Sequence, residues 1–202
     1  MTALRKLFTV LLAAVAMVGT TVYLAQTTGG PPGQLQKATV LPEPLPLPEF
    51  ILTGQDGRPF GKNRFRGKFS LVFFGFTHCP DICPATLQQL AVARSRLAEA
   101  GATLPEIVLI SVDPERDSPE ILAQYTAYFG AGVSGVSGDL DELQKLASAL
   151  GIFFEKSAGD DYDVAHSAVV LLIDTAAELR ALFSAPHDID ALVNDLPLLM
   201  GR

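Results

Sequence analysis

Residues 69–76, FSLVFFGF, form a nearly unbroken apolar run, followed by a helix-compatible stretch from Pro84 to Ala100. A strand that is apolar on both sides must be covered on both faces, which places it in the middle of a sheet. The rhythm returns at Glu106–Val112. There Ser118-Pro119 opens a second helical segment carrying Ile121, Leu122, Tyr125 and Phe129. Two strand–helix units in succession predict parallel strands joined by helical crossovers. Leu140–Leu150 reads as a further helix stopped by Gly151.

The final third changes character. Ala168–Asp174 and Leu179–Ser184 are two apolar runs joined by a short turn, and Ile189–Met200 reads as an amphipathic helix. A β-α-β unit followed by a β-β-α unit is the arrangement of a thioredoxin-like α/β fold, a central mixed sheet flanked by helices. Phe50–Thr53 is expected as a short strand before a turn at Asp56-Gly57. With 49% apolar residues, the chain can build one domain of roughly 150 residues plus appendages. From residue 50 onward, 12 Lys and Arg face 20 Asp and Glu, which excludes a nonspecific nucleic-acid binder. The local cluster Arg58, Lys62, Arg64, Arg66 and Lys68 reads as a solvated hairpin, with a docking patch as the alternative.

The central apolar run leads into FGFTHCPDICP at 74–84, which holds the only two cysteines, Cys79 and Cys83. A pair four apart admits a structural disulfide, a reversible dithiol couple, or two thiolates offered to a soft metal. Pro80 and Pro84 bias the residue before each away from helical angles and stiffen the loop. Pro84 suits a first helical turn, so Cys83 is expected near the N-cap, where the helix dipole would favour its thiolate. A structural disulfide is the weakest use, because so small a loop constrains little of the unfolded chain.

Arg5 and Lys6 precede Leu7–Ala25, nineteen residues without a charge and close to the ~20 needed to cross a bilayer. The run is longer than a signal-peptide core, and Tyr23-Leu-Ala25 offers no tight processing site, so an uncleaved transmembrane helix is expected over a cleaved leader. No cysteine follows it to carry a lipid anchor. The positive flank places the rest of the chain outside the cytoplasm, the periplasmic side of a bacterial inner membrane. There a cysteine pair oxidises unless a reductant maintains it. Residues 26–48, with GGPPG and LPEPLPLP, read as a flexible and then polyproline-like tether. The expected organisation is an anchor at 1–25, a tether at 26–48 and a folded domain at 49–202.

Of three histidines, His78 abuts Cys79, but neighbours on an extended segment point to opposite sides, which counts against it as a ligand. His187 reads as a surface turn or cap residue. His166, in DDYDVAHS before the strand at 168–174, falls in the loop where thioredoxins place a cis-proline facing the dithiol. No proline occurs here between Pro119 and Pro186. Two thiolates with one imidazole suit copper, soft sulfur for Cu(I) and nitrogen extending tolerance to Cu(II). On chemistry alone His166 stays open between a ligand and a packed residue. GAGVSG at 130–135 matches a dinucleotide fingerprint but follows a helix instead of a strand, so it is expected as a glycine-rich connection.

Three motifs, GFTHCPDICPATL (75–87), SVDPERDSPE (111–120) and Y-x-V-x-H-S (162–167), occur in an order and spacing that resembles the Sco/SenC family across Leu52–Leu199. The resemblance implies a membrane-anchored, thioredoxin-fold copper carrier that helps assemble the dinuclear copper centre of cytochrome c oxidase. It implies Cys79, Cys83 and His166 as copper ligands, for Cu(I), Cu(II) or both, with Asp113 supporting the site. The partners it implies are the copper-bearing oxidase subunit, a periplasmic copper donor and a thiol reductant. One position departs from the family pattern: Ala165 stands where an aspartate commonly precedes the motif histidine. Asp161 and Asp163 are the nearby carboxylates that could compensate.

A thiol-disulfide oxidoreductase that keeps the client's cysteines reduced is the alternative, resting on the same dithiol. Peroxide reduction fits poorly, because peroxiredoxins place Thr three residues before the reactive cysteine and Phe76 is there. Asp113 and Asp117 also read as ordinary turn and cap residues.

Overall fold

The structure, a computed structural model, describes residues 33–159 and 162–201. Ten strands and four α-helices follow in the order β1 (Thr39–Pro46), β2 (Ile51–Gly54), β3 (Pro59–Gly61), β4 (Ser70–Gly75), α1 (Ile82–Glu99), β5 (Glu106–Ser111), α2 (Pro119–Ala127), β6 (Val133–Ser137), α3 (Leu140–Ala149), β7 (Phe154–Lys156), β8 (Val164–His166), β9 (Val169–Ile173), β10 (Glu178–Ser184) and α4 (Ile189–Met200). Eight strands form one sheet in the order β1-β10-β9-β4-β5-β6-β2-β3, while β7 and β8 pair as a separate hairpin. Strands β4, β5 and β6 run parallel, and every other pairing in the large sheet is antiparallel. This is the mixed sheet expected of a thioredoxin-like fold.

Every residue of β4 is buried, as its apolar composition requires. One face of the sheet takes α1, α2 and α4, with Gly135 lying against Leu122 of α2 and α1 packed on α4. On the other, Val72 and Ile110 meet Leu146 and Leu150 at the end of α3, together with Phe65 from the 3-10 turn Lys62–Phe65. Glycine is needed at 75 because a Cβ there would come within 2.9 Å of Cys83 Sγ and 2.8 Å of the Phe73 ring. The end of the central strand thus presses directly on a thiol.

Several sequence expectations change. Residues 39–46 are not a polyproline tether but the edge strand β1, paired with β10. The segment before it is fixed by Asp195 of α4, whose carboxylate accepts the amides of Gln36, Lys37 and Ala38 at 2.8, 2.9 and 2.9 Å. Prolines 42, 44 and 46 are tolerated because an edge strand can lack N–H groups, and they blunt that edge against further pairing. The folded unit therefore begins well before residue 49. The GAGVSG connection is half strand, since Val133–Ser137 is β6, paired in parallel with β5. The expected transmembrane segment at 7–25 lies outside the described residues. Among those described, no helix is long and apolar enough to cross a membrane.

Candidate metal centre

Two structural units meet at the C-terminal end of β4. From the main sheet, the chain leaves Gly75 through a turn closed by the Cys79 amide donating to the Phe76 carbonyl at 3.4 Å. It then enters α1 at Ile82, with Asp81 as N-cap. Cys83 therefore lies in the first helical turn, two residues past the cap and near it as expected, with Pro84 in the same turn. A proline is accommodated in a first turn, where its missing N–H has no helical partner to lose. From the hairpin, His166 closes β8 with its imidazole turned toward the cysteines. Its Nε2 is 3.3 Å from Cys83 Sγ, and one donor atom each of Cys79, Cys83 and His166 lie within 4.8 Å of one another.

The environment sets the protonation of this trio. Cys83 is 0% exposed, and burial pushes its thiol well above the usual cysteine range. The hydrogen bond with the Phe76 backbone opposes that shift, while Cys79 and Asp117 add to it. This overturns the expectation of a dipole-lowered thiol: loss of water around the sulfur outweighs the partial charge of a helix end. Burial pushes His166 down, so the ring is held neutral, against smaller opposing effects of the Ser167 carbonyl and Asp163. The Ser167 carbonyl can only accept, so at 3.2 Å it fixes the proton on His166 Nδ1 and leaves Nε2 as a lone pair facing Cys83. The edges of Phe73 and Phe76, with centroids 5.7 and 5.9 Å from the imidazole, wall the ring in.

Asp113 does not touch this trio. It is buried, binds the Arg116 guanidinium, and accepts the Tyr162 hydroxyl at 2.7 Å. Arg116 in turn donates to the Tyr162 carbonyl at 3.2 Å and stacks 3.9 Å over the Tyr162 ring. Tyr162 stands four residues before His166, so this clamp docks the hairpin onto the loop after β5. Asp117, 1% exposed, is the carboxylate at the cysteine loop. It accepts the Thr77 amide at 3.0 Å, the Thr77 hydroxyl at 2.6 Å and the Ser111 hydroxyl at 2.6 Å. The reading of Asp117 as a turn or cap residue is corrected accordingly, and the cap of α2 is Ser118.

His78, Asp113 and Asp117 form a second group of nearby donor atoms. All four of its carboxylate oxygens already accept hydrogen bonds, and Arg116 supplies a cation, so this group is a support and not a metal cage. His187 is buried, both ring nitrogens lack hydrogen-bond partners among the described residues, and burial pushes its pKa down. It is a neutral packed residue instead of a surface one, and Asp188 caps α4.

The family model described as SCO1/SenC matches residues 42–201. The chain belongs to the SCO1/SenC family. It is 36% identical over 165 residues to a Stutzerimonas stutzeri protein named as copper-binding, covering 81% of each chain. The crystal structure of Arabidopsis thaliana ScoI with copper bound superposes with a TM-score of 0.71 at 32% identity, covering 74% of this chain and 94% of that one. The solution structure of apo Sco1 from Thermus thermophilus gives 0.72 at 34% identity, covering 81% and 96%. The chain spans about half the length of the mitochondrial SCO proteins it matches.

Within this SCO1/SenC chain, Ala165 is exposed on β8 opposite Glu155 of β7, while the neighbouring His166 turns inward. Alternation along the strand therefore puts a carboxylate at 165 on the outer side of the hairpin, away from the sulfur atoms. Asp163 accepts the Val164 amide at 2.8 Å, and Asp161 lies outside the described residues.

Proposed function

We propose that this chain is a copper-binding metallochaperone that delivers copper to the dinuclear copper centre of cytochrome c oxidase. The observation that carries this reading is the convergence of Cys79, Cys83 and His166 from two structural units onto one buried spot. Two sulfurs and one neutral imidazole nitrogen suit Cu(I), and the nitrogen extends the set to Cu(II). A three-donor site leaves room for an incoming ligand, which a carrier needs and a permanent cofactor site does not. Asp113 acts one step back, holding through Arg116 and Tyr162 the hairpin that presents His166.

The copper in the related ScoI structure supports the choice of metal. The proposed setting is a bacterial inner membrane, spanned once by residues 7–25, with the folded domain in the periplasm. A donor there supplies copper, a reductant keeps the thiols free, and the copper-bearing oxidase subunit accepts the metal. The overall charge of −7 steers the domain toward a basic partner face. Dithiol exchange draws less support, because Cys83 is enclosed and poorly accessible to a client disulfide.

Competition titration with Cu(I) and Cu(II) chelators tests the assignment on the reduced chain beside a His166→Ala variant. Stoichiometric binding is expected, weakened about 10–100-fold or more in the variant. Absence of binding by the parent chain refutes the carrier.

A further inference from the structure

His78 is not one of the three converging donors, and the argument from an extended backbone sets it aside. The backbone there is a turn, however, closed from Cys79 to Phe76. The His78 side chain is 51% exposed, whereas Cys83 is fully enclosed and His166 partly so. Its hydrogen bonding fixes its tautomer. Thr77 Oγ1 has a single hydrogen, and the 2.6 Å contact with the Asp117 carboxylate uses it. The 3.1 Å contact between Thr77 Oγ1 and His78 Nδ1 must then be donated by the ring. Nδ1 carries a proton, with Asp117 standing 3.8 Å away, and Nε2 is the ring nitrogen without a partner among the described residues. A hydroxyl and carboxylate behind one ring nitrogen are the support that metal-binding imidazoles carry on the nitrogen away from the metal. His166 is prepared in the same way, with its Nδ1 proton on the Ser167 carbonyl. The two imidazoles thus both engage Nδ1 and turn Nε2 to other partners, one toward Cys83 and one on an exposed side chain beside Cys79.

We propose that His78 is the exchange ligand through which copper enters and leaves the Cys79, Cys83 and His166 set. This rests on the carrier reading above. On release, a Cu(I)–Nε2 bond to His78 forms as the bond to His166 Nε2 breaks. A thiolate or imidazole of the acceptor then displaces Cys83, further acceptor donors displace Cys79 and His78 in turn, and each released cysteine thiolate takes a proton from water. The copper stays Cu(I), so no electron donor is required. The role is kinetic: His78 lowers the barrier to transfer without being needed for the resting site.

Stopped-flow transfer of Cu(I) from the loaded full chain to an excess of a chromogenic Cu(I) chelator tests it. The variants are His78→Asn, which keeps an N–H for Thr77 but has no ring nitrogen to bind copper, and His78→Met, which supplies a soft thioether. The Asn variant is expected to transfer about tenfold more slowly, with equilibrium affinity within about twofold of the parent. The Met variant should recover most of the rate. Parental speed in the Asn variant, equal loss of rate and affinity, or no recovery with Met overturns the proposal. If the parent chain binds no copper, the carrier reading falls first. Normal binding with an unaffected Asn rate removes only the exchange role.

Discussion

Asp117 joins two loops through one carboxylate, tying Thr77 at the approach to the cysteines to Ser111 at the end of β5. Its replacement by asparagine exchanges an acceptor for a donor among hydrogens that already need acceptors. The Asp117→Asn variant is therefore expected to lose about 2–4 kcal/mol of folding stability and about tenfold or more in Cu(I) affinity. Urea unfolding paired with chelator competition measures both, and a parental affinity would show that the cysteine loop holds itself. The grouping of Cys79, Cys83 and His166 was legible in the sequence because their motifs are local. Asp117 was not, since its partners include Thr77 forty positions away, and a sequence shows Asp-Ser-Pro only as a turn and helix start. The state of Cys83 was misread for a related reason: a helix dipole is local, whereas burial depends on how Gly75 and the Phe76 turn close over the sulfur.

Among the elements, the strand–helix alternation from β4 to α2 follows from apolar runs that leave few alternatives. Strand β1 does not, because LPEPLPLP has no reason to pair until α4 supplies Asp195 and β10 supplies an edge. Burial opposes ionisation of Asp195, but the Lys37 amide, Asn194, and the amides of Ala38 and Gln36 outweigh it and hold its carboxyl below the usual range. A folded-state pKa below the unfolded one gives stability that is fully present above the unfolded value, about 3.9. It is lost as pH falls through the lower folded value. Below about pH 4 the segment 34–38 should loosen progressively, while Asp195→Asn should make it loose already at neutral pH. Hydrogen exchange at the amides of residues 36–38 reads this directly. Protection in the Asn variant equal to that of the parent would show that β1 holds without the clamp.

On the scale of the whole molecule, the three proposed ligands are divided between two units: Cys79 and Cys83 in the loop and helix that follow β4, and His166 on a hairpin with its own two-stranded sheet. Copper binding should join them. Free copper at about a thousandfold excess over the dissociation constant would stabilise the native state by about 4 kcal/mol. Calorimetry should show a higher Tm for the parent chain and a smaller rise for His166→Ala, where the hairpin has no ligand to give. An equal rise in both would place the copper on the main sheet alone. The position of the Asp195 clamp also fixes a radius of action. Only eight residues separate Ala25 from Gln34, whose carbonyl accepts the Asn194 amide at 2.9 Å. If residues 7–25 lie in the bilayer, the nine steps of chain from Ala25 to Gln34 span at most about 32 Å. The domain would then stay within that distance of the membrane, meeting acceptors embedded beside it far more often than ones diffusing freely.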